Sequence, residues 1–183
     1  VQEAKLAKPD IDVLWSLVKP MLLPYEGGAS QIFVLDLPLG SFDGALKQIH
    51  QRTTRAVITT LDGNSCSKED ASALDPVTRA QILQGIKNKT QNIISTVFHA
   101  NLPVDFWIQA NEDGKTFDVE LVFWADQFFP DESDDTANKK AFAVLLALAE
   151  KLREAHPNCE CALNGSEVSD PRNDRDKPWT VFW

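Results

Sequence analysis

A chain of 183 residues with 43% hydrophobic side chains, ten Phe and five Trp can bury one sizeable core, which excludes global disorder and favours a single globular domain over 1–183. The 27 Asp and Glu against 18 Lys and Arg leave a formal net charge of −9, which sets the chain against nucleic-acid phosphates and anionic membrane surfaces. Three cysteines (Cys66, Cys159 and Cys161) make a poor disulfide framework, and the polar start Val1–Asp10 lacks a secretory pattern, so reduced thiols in a cytoplasmic, bacterial-type protein without a membrane span are the expectation.

The first periodic segment follows Asp10, an N-cap acceptor. Ile11, Leu14, Trp15, Val18 and Leu22 then fall at helical spacing. Pro20 is expected to bend or end this helix, and Pro24 with Gly27-Gly28 closes it. The apolar run Ile32–Leu35 predicts a buried strand over 31–37, ended by Pro38 and Gly40. Ser41 caps a helix running to about Gln51, with Phe42, Ala45, Leu46 and Ile49 on one face. Arg55–Leu61 is β-branched and reads as a strand, and the polar stretch from Asp62 to Ala73 reads as loop. Asp75-Pro76 is a helix start, and Val77, Ala80, Leu83, Ile86, Thr90, Ile93 and Val97 extend near-helical spacing to about His99.

The strongest local signal is a β-hairpin from about Pro103 to Trp124. Val104, Phe106, Ile108 and Ala110 alternate with Asp105, Trp107 and Gln109; Phe117, Val119, Leu121 and Phe123 alternate with Asp118, Glu120 and Val122. Centring the turn on Asp113-Gly114 pairs Ala110 with Phe117, Ile108 with Val119, Phe106 with Leu121 and Val104 with Phe123. A slip of one residue would send one strand's apolar set to the other face, so pattern and turn chemistry specify the same register.

After an acidic loop (Asp131, Glu132, Ser133, Asp134, Asp135) a helix is predicted from about Asp135 to His156, stopped by Pro157. Its centre, Phe142–Leu148, is apolar almost all round and is expected to be well buried. Cys159–Leu163 and Trp179–Trp183 read as strands, and Val168–Pro178 as a charged loop crossed by ion pairs. These elements predict an α+β fold: a mainly antiparallel sheet built on the central hairpin, with three or four packed helices.

No stretch carries a catalytic, cofactor or metal signature. His156, Cys159 and Cys161, with Cys66 as a fourth ligand, lack the paired knuckles of zinc sites. Asp170–Asp176 lacks the glycine and closing glutamate of a calcium loop. There is no Gly-x-Gly-x-x-Gly, no Walker loop and no Gly-x-Ser-x-Gly elbow. The expectation is no metal and no cofactor.

What remains is a concentration of acid and aromatic residues. Trp107, Asp118 and Glu120 are expected on the solvent side of the hairpin, leading into Trp124, Asp126, Phe128, Phe129, Asp131, Glu132, Asp134 and Asp135. Aromatic anchors with a charged rim suit the binding of a basic protein partner. The sequence therefore predicts a non-enzymatic, inhibitor-like binding protein. Bacterial toxin-neutralising (immunity) proteins are commonly of this type: small, acidic and free of catalytic motifs. The competing expectation is a small hydrolase-type enzyme, its site assembled from scattered residues. The Cys66 loop, with His50 or His99 as base, or the Asp118/Glu120 face would carry it.

Overall fold

The computed structural model describes residues 8–25, 27–50, 56–60, 65–68, 80, 83–84, 93–99, 102–165 and 170–183. In chain order its elements are α1 (Ile11–Leu22), β1 (Ala29–Pro38), α2 (Phe42–His50), β2 (Ala56–Thr60), β3 (Ser65–Lys68), β4 (Ile93–His99), β5 (Leu102–Ala110), β6 (Thr116–Trp124), α3 (Ala125–Phe128), α4 (Asp135–Arg153), β7 (Cys161–Asn164) and β8 (Thr180–Phe182). The fold is α+β with antiparallel strand pairing, as the element pattern predicted. Its residues group into two compact units, Val1–Val34 with Leu121–Trp183, and Leu35–Glu120.

The second unit is organised around the hairpin of β5 and β6. Asn111 N donates to Thr116 O at 3.1 Å, which is the register that places Ala110 opposite Phe117. Gly114 has φ +64° and takes the left-handed turn position that costs glycine no Cβ clash. Asp113 closes the turn by accepting from Lys115 N at 2.7 Å and Thr116 N at 3.0 Å. The predicted apolar face is buried: Val104, Phe106, Ile108, Phe117 and Val119 are each at most 2% exposed. Phe42 of α2 meets Phe117 edge-on at 5.6 Å, and Phe42, Ala45, Leu46 and Ile49, which the spacing put on one helix face, are all buried.

Strands β3-β2-β4-β5-β6 follow one another in this unit, with Leu39 N, just beyond β1, donating to Lys115 O at 3.0 Å. Two expectations are corrected here. Ile93–His99 is not helical: it is β4, pairing with β2 on one side and β5 on the other. Its Ile, Thr and Val content favours an extended chain, and the helical spacing of Ile93 and Val97 is satisfied equally by positions on a strand. Ala80, Leu83 and Gln84 are helical, whereas the predicted start at Asp75-Pro76 lies outside the described residues. Ser65–Lys68, read as loop, is β3, with Cys66 opposite Ile58. A short polar strand at a sheet edge has no apolar alternation to announce it.

The first unit packs α1 and α4 with β1, β7, β8 and the end of β6. Asp10 caps α1 through Asp12 N at 2.9 Å and Val13 N at 3.1 Å. The helix continues past Pro20 to Leu22, because the hydrogen bond Pro20 cannot make would lie on the exposed side, where water can satisfy the Ser16 carbonyl. Leu14, Trp15, Val18 and Leu22 are buried. Trp15 contacts Phe129 at 5.8 Å and Phe142 of α4 at 5.5 Å, and Phe123 contacts Phe128 at 5.4 Å. Gly165 allows close approach: a Cβ there would lie 2.7 Å from the Cβ of Met21.

The end of α4 is tied down by a buried cation. Arg153 is 3% exposed, and its guanidinium forks onto Glu150 (3.1 and 2.9 Å) while Nη1 donates to Cys159 O at 3.1 Å. Trp183 Nε1 donates to the same Glu150 at 3.0 Å. The helix end, the chain just before β7 and the residue beyond β8 are thereby joined through one ion pair. Among the described residues, no helix is long and apolar enough to cross a membrane.

Candidate binding surface

The acid-rich segment after β6 is built in two steps. Trp124 leads into α3, a single turn that buries Phe128 and Phe129 and exposes Asp126 and Gln127. The chain then turns outward at Pro130, and Asp131, Glu132, Ser133, Asp134 and Asp135 are all exposed. From Asp126 to Asp135 there are five carboxylates and no lysine or arginine.

Local hydrogen bonds order this turn. Asp131 Oδ1 accepts from Ser133 N at 2.8 Å and from Ser133 Oγ at 2.7 Å, which holds its carboxyl below the usual carboxylate range. Asp134 caps α4 by accepting from Ala137 N at 3.0 Å, where the helix dipole favours negative charge. Asn138, fully buried, donates to Asp131 O at 2.6 Å. Asp135 accepts from Trp15 Nε1 at 3.0 Å and pairs with Lys19 at 2.7 Å; the Lys19 bond, then the Trp15 bond, lowers its pKa. A second ion pair, Lys139 with Asp12 at 2.6 Å, also ties the start of α4 to α1.

Tyr25 reports the field of this segment. Its hydroxyl donates to Phe129 O at 3.1 Å, and its pKa is raised above 10.0 by burial first, then by Glu132, Asp131 and Asp126. Tyr25 is the chain's single tyrosine, so its ionisation can be followed by tyrosinate absorbance without ambiguity. We expect titration above 10.0 in the wild type and a return toward that value when Glu132, Asp131 and Asp126 are replaced by their amides. An unmoved titration curve in the triple amide variant would show that these carboxylates do not act at Tyr25.

The sequence-predicted surface is partly corrected. Asp118 and Glu120, expected to face solvent, are 7% and 5% exposed, because β6 is buried on both faces from Phe117 to Phe123. Asp118 serves the fold: its Oδ1 accepts from Asp36 N at 2.8 Å and Asn111 Nδ2 at 3.0 Å, with Asp36 held at φ +58°. Phe129, expected as a surface anchor, is 2% exposed and packs against Trp15, Phe123 and Phe128. Trp107 and Trp124 are half-buried. Asp126, Asp131, Glu132, Asp134 and Asp135 remain at the surface. Sequence reasoning missed Tyr25, because it meets this segment across more than a hundred residues of chain and no local pattern connects the two.

Cys66 lies in a strand rather than a polar loop, and the side chains of Cys66, His50 and His99 lie outside the described residues. Cys161 is fully buried and its thiol is pushed up to about 12 by burial, the behaviour of an inert core cysteine. Cys159 and Cys161 are free thiols. Among the described residues no group of three or more His, Cys, Asp or Glu is placed to hold a metal ion. The loop at 170–177 carries the expected ion pair, Arg172 with Asp170 at 3.3 Å, and Arg175 pairs with Glu160. A groove of about 330 Å3 lined by Lys8, Glu150, Lys151, Arg153, Glu154 and Pro157 contains none of the sequence candidates, and two of its three cations pair within it (Arg153 with Glu150, Lys151 with Glu154). No protein-family model matches the chain, and no curated protein and no solved structure was found to match it.

Proposed function

We propose that this chain is a non-enzymatic binding protein that holds, and by holding neutralises, a basic protein partner through the acidic turn between α3 and α4. One observation carries the reading: Asp126, Asp131, Glu132, Asp134 and Asp135 are all exposed, with no lysine or arginine between them along the chain and with Lys19 pairing with Asp135 alone of the five. A capping role accounts for Asp134, and pairing with Lys19 for part of Asp135. Neither accounts for Asp126 or Glu132. A clustered field of one sign steers an oppositely charged partner and selects against acidic ones. The reduced state of Cys159 and Cys161 suits a bacterial cytoplasm, where a toxin-neutralising protein of immunity type would act.

The test is affinity capture with the wild-type chain and with an Asp126→Lys/Asp131→Lys/Asp134→Lys variant. The wild type should retain a basic protein that the variant loses, and raised salt should release it. Retention of the same proteins by both chains would remove this surface from the account.

A further inference from the structure

We draw no further inference here: the strongest candidate, the exposed apolar pair Val13 and Leu17 on α1, lies on the opposite side of that helix from Asp12, Trp15 and Lys19, which meet the start of α4, and nothing in the structure shows what covers it.

Discussion

Arg153→Ala should destabilise the protein by about 3 kcal/mol, because it removes a buried guanidinium and leaves the part-buried Glu150 carboxylate without its cation. Arg153 is 3% exposed, and three of its guanidinium nitrogens are in use: Nε and Nη2 on Glu150, Nη1 on Cys159 O. Removing it also unties the end of α4 from β7 and leaves the Cys159 carbonyl short of a donor. Urea unfolding followed by tryptophan fluorescence reads the loss as a lowered midpoint. Adding Glu150→Leu should recover part of it, since the carboxylate left without its cation is then removed as well. If the single variant unfolds at the wild-type midpoint, the ion pair is not the tie it is argued to be.

Phe123→Ala should cost a similar amount, about 3–5 kcal/mol, through lost burial and the cavity left behind. Phe123 is fully buried at the centre of an aromatic cluster, 5.4 Å from Phe128 and 6.3 Å from Phe129. Phe129 in turn contacts Trp15, so the cavity would open beneath the segment that carries Asp126 and Asp131. Phe123→Leu should cost well under half as much, because most of the volume is kept. The same urea experiment checks both, and equal midpoints for Ala and Leu would contradict a packing account.

The contrast between what the chain reveals and what it hides has physical causes. The hairpin is legible because period-two alternation, the Asp113-Gly114 turn and apolar pairing all specify one register. α1 and α4 are legible because caps and apolar spacing coincide at Asp10 and Asp134. β4 is misread because Ile93 and Val97 satisfy helical spacing as well as extended pairing, and the strands that claim it, β2 and β5, are non-local on the β2 side. Asp118 and Glu120 mislead for another reason. Alternation shows that two faces differ in chemistry, and burial of the polar face depends on neighbours no local pattern encodes.

The proposed binding surface divides in the same way. Its carboxylates are visible as a run of one sign in the sequence, but which aromatics accompany them at the surface is decided by packing. Phe129 turns inward onto Trp15, whereas Trp107 and Trp124 stay half-buried. Long-range ties set that arrangement: Tyr25 to Phe129, Trp15 to Asp135 and Lys139 to Asp12. Each spans more than a hundred residues of chain.

The measurement that bears most directly on the proposed function is the salt dependence of affinity between the wild-type chain and the basic protein it is proposed to capture, set beside the Asp126→Lys/Asp131→Lys/Asp134→Lys variant. A working acidic surface predicts wild-type affinity that falls steeply with salt, and a variant weaker by on the order of 2 kcal/mol at low salt with a flattened slope. Equal affinity and equal salt slope in the two proteins would contradict it.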